Sequence, residues 1–306
     1  MHTLTDHRPA ADCGTMGAGV AVATDARAAG SPPASGSADR PAWRVADIDF
    51  SRADDRHRGD TTLFYLLAAA SFVESGSELY TRNLLTYYRD DAQIADWLSN
   101  AWEPEELQHG AALRAYVQAV WPEFDWENAY QRFLAEYSQS ASPEAFESTR
   151  HLELAARCMI ETGTATIYRM LHAYAQEPVL RQVLGHIRDD EVSHYKHFLQ
   201  FFRAGQARER HRPLRVAWAI GRRVRESRVD DSWIAFRHAF EVRHPGRSCQ
   251  RSDFEQWQKS IHEIARRTFP FRMAAEMLVA PLGLPLLLRR LARRAAELGL
   301  RRLLFA

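Results

Sequence analysis

The chain has 306 residues, 46% hydrophobic and 26% charged, enough for one large core or for one domain with appendages. Its net charge of +1 excludes a global electrostatic bias toward nucleic acid. Three cysteines, Cys13, Cys158 and Cys249, lack CxxC spacing and are odd in number, which speaks against a disulfide framework and for a reducing, cytoplasmic setting.

Residues 1–40 are rich in Ala, Gly, Ser, Pro and Asp and nearly free of aromatics, so they are expected to form a disordered tail, with order beginning near Trp43. The opening residues carry no basic segment leading into an apolar run, so no signal peptide is expected. From residue 60 the apolar residues recur at helical spacing. A first helix is predicted from Asp60 to Tyr88, ended by Arg89-Asp90-Asp91, with Asp91 as N-cap of a second from Ala92 to Val120. Trp121-Pro122 ends that one, and a shorter helix follows over 125–139. Ser142-Pro143-Glu144 has the form of a helix start, with Pro in the first turn, for a helix reaching Ala175. After Glu177-Pro178 a fifth long helix runs to Ala207. Further helices are predicted over 213–228, 230–243, 252–268 and from 284 onward. The longest apolar run, Met277 to Leu288, is broken by Pro281, Gly283 and Pro285 and is too short to span a bilayer. No alternating strand pattern and no glycine-rich phosphate loop is present, so the fold class expected is all-α.

One chemical kit occurs twice along these helices: a glutamate, then Glu-x-x-His. The first copy is Glu74, then Glu106 and His109; the second is Glu161, then Glu191 and His194. Residues i and i+3 share a helix face, so each Glu-x-x-His aims a carboxylate and an imidazole at one point. Two helices giving Glu and two giving Glu-x-x-His make a carboxylate-bridged dimetal site in a ferritin-like four-helix bundle. Depth agrees. In an antiparallel hairpin, residues at one level are equidistant from the turn. The midpoint of Glu74 and Glu106 is residue 90, inside the first break, and that of Glu161 and Glu191 is residue 176, beside the second. Glu74 follows Ala-Ala-Ala-Ser-Phe-Val and Glu161 follows Ala-Ala-Arg-Cys-Met-Ile, and a carboxylate among apolar neighbours is costly unless paired or metal-bound. Carboxylates with imidazole suit two iron ions, with manganese left open. Glu78, one turn past Glu74, is the rival for the first position. Glu105 and Asp190 point away from the ligand face and belong to its surroundings or the surface.

At these residues the sequence resembles a known family. Trp102-Glu103-Pro104-Glu105-Glu106-Leu107-Gln108-His109-Gly110 is similar to the W-x-x-E-E-x-x-H-G signature of the soluble acyl-carrier-protein desaturases, continued by Leu113 and Tyr116. Asp190-Glu191-Val192-Ser193-His194 resembles that family's D-E-x-x-H, Glu161-Thr162-Gly163-Thr164 its E-x-x-T, and Glu74 and Tyr80 keep its first-helix spacing. The likeness covers residues 60–205. Pro104, two residues before a ligand, departs from a regular helix, and the last third has no counterpart. The resemblance implies an O2-dependent di-iron oxidoreductase that desaturates or hydroxylates an acyl chain, with an external electron donor such as ferredoxin and an acidic acyl carrier protein as partners. It also implies that Thr164 lies beside the oxygen-binding face and that Asp190 orients His109 or His194.

Other ferritin-like chemistries are weighed on single positions. Leu113 stands where a radical-bearing subunit has its tyrosine. An N-oxygenase acting on an amine would carry a histidine at 187, where Ile187 stands and His186 is one residue off. Non-catalytic iron binding or ferroxidase activity is the third reading, with bare ferritins about half this length. His197 and Cys158 are expected beside the site or in the core. In domain terms the expectation is a bundle over 41–210 and accessory helices over 211–306. The terminal segment sets Arg289, Arg290, Arg293, Arg294, Arg301 and Arg302 among Leu and Ala, a pattern suited to peripheral membrane contact or to packing on the bundle with arginines in water. Arg222, Arg223, Arg225 and Arg228 form a second basic stretch suited to an acidic carrier. No nucleic acid is expected, and a homodimer is allowed for.

Overall fold

The computed structural model describes residues 43–140, 146–226 and 230–305. The expected tail over 1–40, Cys13, the Ser142-Pro143-Glu144 start and Arg228 lie outside the described residues. Those described form twelve α-helices and no strand: α1 Thr61–Ser75, α2 Ser77–Tyr87, α3 Ala92–Trp97, α4 Glu103–Val120, α5 Trp126–Ser140, α6 Arg150–Tyr174, α7 Pro178–Gly205, α8 Pro213–Glu226, α9 Asp230–Arg243, α10 Arg251–Thr268, α11 Phe271–Val279 and α12 Leu286–Phe305. None of them is long and apolar enough to cross a membrane.

Local chemistry sets the starts. Asp60 accepts from the Leu63 amide at 2.9 Å to cap α1, Asp91 from Ile94 to cap α3, and Thr149 from Leu152 to cap α6. Glu177 accepts from both the Val179 and Leu180 amides, with Pro178 in the first turn of α7, where its missing N–H costs nothing.

The structure differs from the sequence expectation at four places. The first long helix is two, because the chain breaks at Gly76, two residues after Glu74; Gly76 turns its amide back onto the Phe72 and Val73 carbonyls, and α2 restarts at Ser77. The second is also divided. A π turn over Leu98–Trp102 precedes α4, so that Pro104 falls in the first turn of a new helix instead of kinking an old one. Described α6 begins at Arg150 rather than near 143, where Thr149 supplies the cap. The broken apolar run begins in the last turn of α11, a short helix not expected from the sequence, whose Ala274, Ala275, Met277 and Val279 are buried.

Four helices, α1, α4, α6 and α7, form the bundle: α6 lies along α7, α1 along α4, and α4 against α7. The helices after residue 211 pack directly on it, α8 and α11 on α6 and α9 on α1 and α5. Contact between α1 and α4 is unusually close. A Cβ added at Gly110 would sit 2.5 Å from Ser75 Oγ and 2.6 Å from its amide nitrogen, so only glycine lets α4 cross α1 there. Gly110 directly follows His109, and the close crossing brings Glu106 and His109 up to Glu74.

Two apolar clusters fill the bundle, one holding Phe72, Leu113, Tyr168 and Ile187, the other Leu84, Trp102, Cys158 and Phe198. Acidic residues stand where the chain changes cluster: Glu74 between Phe72 of α1 and Leu84 of α2, Glu106 between Trp102 and Leu113, Glu161 between Cys158 and Tyr168, and Glu191 between Ile187 and Phe198.

Candidate metal centre

Those acidic residues form a polar layer between the two clusters. Glu74 comes from α1, Glu106 and His109 from α4, Glu161 from α6, and Glu191 and His194 from α7. All six are buried, none more than 7% exposed. They divide into two overlapping groups, Glu74 with Glu106, His109 and Glu191, and Glu106 with Glu161, Glu191 and His194. In each group the candidate ligand atoms lie within 4.8 Å of one another. Glu106 and Glu191 belong to both, and each splits its oxygens between the two histidines. Glu106 sets Oε2 3.8 Å from His109 Nδ1 and Oε1 3.1 Å from His194 Nδ1. Glu191 sets Oε1 3.3 Å from His109 Nδ1 and Oε2 3.9 Å from His194 Nδ1. Glu74 and Glu161 complete one group each, 4.0 Å from His109 Nδ1 and 3.8 Å from His194 Nδ1.

The outward nitrogens of both rings are held by carboxylates. His109 Nε2 donates to Asp190 Oδ2 at 3.1 Å, and His194 Nε2 to Glu105 Oε2 at 2.7 Å. That fixes each ring and leaves its Nδ1 lone pair facing the layer. Both Nδ1 atoms and Glu191 Oε1 are buried and make no hydrogen bond. Orphaned acceptors converging in a dry volume are costly unless a cation lies between them. The donor set also balances: four carboxylates and two neutral imidazoles match two divalent ions. By number, type, burial and orientation, the six side chains fit a dimetal group.

Electrostatics carry the same message. Burial, then Glu106, pushes Glu74 well above the ordinary carboxylate range, and burial with Glu191 does so for Glu161. Burial also opposes ionisation of Glu106, but the His109 and His194 rings beside it outweigh that and hold its carboxyl low. Burial favours neutral rings, yet the surrounding carboxylates, Asp190 foremost at His109 and Glu105 at His194, raise both imidazoles well above their usual range. Without cations the layer must take up protons to stay folded.

The other expected residues take definite places. Thr164 donates to Glu191 Oε2 at 2.5 Å and lies 3.2 Å from the Glu161 carbonyl oxygen. Asp190 orients His109, not His194, and also accepts from Trp43 Nε1 at 2.7 Å. Glu78 is exposed and takes no part. Cys158 is a buried core residue whose thiol is pushed up by burial. His197 bonds the Ser193 carbonyl and stacks on Trp97, away from the ligands, and His186 stacks on the outer face of Trp43. Three partners escape the sequence pattern. Glu105, expected to point elsewhere, reaches across to α7. Tyr168 donates from its phenol to Glu74 Oε1. Trp43 lies parallel to His109 with ring centres 6.3 Å apart. The i+7 spacing of Tyr168 from Glu161 was a usable signal; Trp43, 147 residues from Asp190, offered none.

Two features adjoin the layer. A cleft of about 720 Å³ opens over the histidines, lined by Trp43, Glu105, Arg169, Arg188, Asp190 and Lys196 among others. At the far end of α7, His151, Glu209 and His211 form a third group of potential ligands. There His151 Nε2 bonds the Phe202 carbonyl and His211 Nε2 pairs with Glu209 at 3.0 Å, so most of its polar atoms satisfy one another.

No family model matches the chain, and no curated protein matches it. Among solved structures, it is similar to an R2-like ligand-binding oxidase with aerobically reconstituted Mn/Fe cofactor, at 17% identity and a TM-score of 0.38, covering 86% of this chain and 88% of that one. A point mutant of that oxidase matches at 16% identity and a TM-score of 0.43, covering 86% and 89%. At this distance the likeness carries nothing about chemistry, and the centre is read from its own geometry.

Proposed function

We propose that the chain is an O2-dependent dimetal oxidoreductase, with two iron ions, or manganese and iron, held by Glu74, Glu106, His109, Glu161, Glu191 and His194. The observation that carries this reading is the pair of buried ligand groups sharing Glu106 and Glu191, with both inward-facing Nδ1 atoms left without a hydrogen bond. Held by these six residues, two such ions would supply redox chemistry between the +2 and +3 states for the reduction of O2 and the oxidation of an unactivated substrate bond. The chain's own residues do the rest. The two apolar clusters keep water from the layer, which strengthens every charge interaction inside it. Asp190 and Glu105 fix the histidine rings and raise their basicity. The Thr164 hydroxyl, its oxygen 2.5 Å from Glu191 Oε2, donates there, and the Tyr168 phenol donates to Glu74, so both sides of the layer have a proton donor in place.

The substrate proposed is an acyl chain, desaturated or hydroxylated, on the strength of the Trp102–Gly110 motif. An amine, oxidised at nitrogen, is the second reading; the charged lining of the cleft over the histidines, with Glu105, Asp189 and Asp190 among it, favours it. In either case an external reductant such as a ferredoxin returns the electrons. Metal analysis and stopped-flow absorbance of the reduced protein mixed with O2 test the proposal. Two metal ions per chain and an oxygen-dependent transient are expected. Faster decay of that transient with a carrier-bound acyl chain supports the first substrate, and faster decay with an arylamine supports the second. Uptake of many irons per chain, with no substrate effect, overturns both in favour of iron storage.

A further inference from the structure

The large apolar side chains left in water are concentrated in one region. Leu286, Leu287, Leu288, Leu291, Leu298 and Leu303 of α12 are each more than half exposed, and Leu214 and Trp218 of α8 add two more. Among the described residues only Val73 and Ile167 are comparable elsewhere. The two regions are joined, because α8 packs on the 3-10 turn Ala280–Leu282 that leads into α12. Apolar exposure on this scale marks a surface that meets something else.

Charge says what. Along α12 six arginines face a single acid, Glu297, and that acid is already bonded by Arg301 at 3.1 Å. Leu287, Leu291 and Leu298 stand at i, i+4 and i+11 on one stripe, and exposed Arg294 falls at i+7 within that same stripe. A protein interface keeps its centre apolar and its charges at the rim. Guanidiniums interleaved with leucines fit a plane where phosphate and acyl carbon lie side by side.

We propose that α12 docks the protein on the surface of an anionic lipid bilayer, its leucines in the acyl boundary and its arginines at the phosphates. The helix lies on that surface and does not cross it, since charge recurs along its whole length. Beside the docked face is an open cleft of about 610 Å³, lined by Phe271, Met273, Glu297 and Arg301. Arg169 and Met273 also line the cleft over the histidines, so the two cavities adjoin. An amphiphile drawn from the lipid thus meets a continuous lining that leads toward the metal layer. That last step rests on the oxidase reading; the docking does not.

The test is sedimentation of the full chain with vesicles of phosphatidylcholine alone or mixed with phosphatidylglycerol. Binding to the anionic vesicles is expected, roughly tenfold stronger than to the neutral ones and weakened by salt. Leu287→Ser, Leu291→Ser and Leu298→Ser combined should weaken binding roughly tenfold while circular dichroism stays unchanged. Arg290→Gln with Arg294→Gln should reduce the preference for phosphatidylglycerol. Metal-free and metal-loaded protein should bind alike, which separates this result from the fate of the oxidase reading. No binding to either vesicle, or binding indifferent to the leucine substitutions, overturns the proposal. So does a dimer in solution that those substitutions convert to monomer, which would assign the face to a second copy of the chain.

Discussion

The two halves of the polar layer carry the same candidate ligands and are finished differently. On one side His109 is fully enclosed, backed by buried Asp190 and behind it Trp43, and Glu74 receives the Tyr168 phenol. On the other, His194 is backed by Glu105, whose side chain is 42% exposed. The repeat along the sequence makes the two positions alike in donor type, and the neighbouring helices make them unlike in water access. One position is backed by a buried carboxylate and the other by one that is partly in water. Ions at the two positions should therefore differ in how firmly they are held.

The largest effect comes from a group that both halves share. Glu191→Ala should drop metal content from two ions per chain to below one, while Glu74→Ala or Glu161→Ala should each leave about one, because either removes a ligand from one position only. Elemental analysis after gel filtration reads this directly. Two ions retained by Glu191→Ala would mean that the shared carboxylate is not a bridge.

The next effect is on stability against pH. Glu74 and Glu161 have folded-state pKa values raised above their unfolded ones, so in the metal-free protein the folded form binds more protons than the unfolded. Their contribution is present below the unfolded carboxylate range and is lost as pH rises toward the raised values. His109 and His194 act in the same direction: their stabilisation is full below the ordinary histidine range and is lost as pH rises through their raised values. Thermal melting of chelated protein should therefore fall as pH is raised above the ordinary carboxylate range. Added Fe2+ or Mn2+ should restore more at the alkaline end, where the ligands give up their protons readily. A chelated protein that gains stability with rising pH would contradict the protonated layer.

The smallest effect separates the two backing carboxylates. Asp190→Asn should weaken metal affinity by about 10–100-fold. Glu105→Gln should cost less, since water at that exposed position can take over part of the bond. Chelator competition measures both, and equal losses would erase the distinction between a buried and a partly exposed backing.

That the six side chains would meet in one buried layer was legible because every constraint on them is local. Glu-x-x-His spacing is a property of one helix, and matched depth is a property of one hairpin. Thr164 and Asp190 followed from the motif. What escaped depends on contact between distant segments or on backbone detail. Trp43 reaches Asp190 only once the segment before α1 folds over the bundle. Glu105 looked outward along its own helix, but α7 runs close enough there for its carboxylate to meet His194. The break at Gly76 and the π turn before Pro104 interrupt long periodic runs that read as continuous, because apolar period survives a one-residue change of path. Helix α11 was hidden by the prolines beyond it. The accessory helices could be outlined from periodicity, but which bundle face each covers could not.

The polar layer also has a consequence for how the molecule holds together. It lies at the waist of the bundle, where the two greasy ends have no direct oil-to-oil continuity along the ligand helices. When the waist is neutralised by cations, the ends are welded across it and should melt as a single cooperative body. When it is emptied at a pH that also strips its protons, mutual repulsion should loosen the middle first, leaving two lobes that open separately. Cation content then governs whether the fold behaves as one unit or two, quite apart from any turnover.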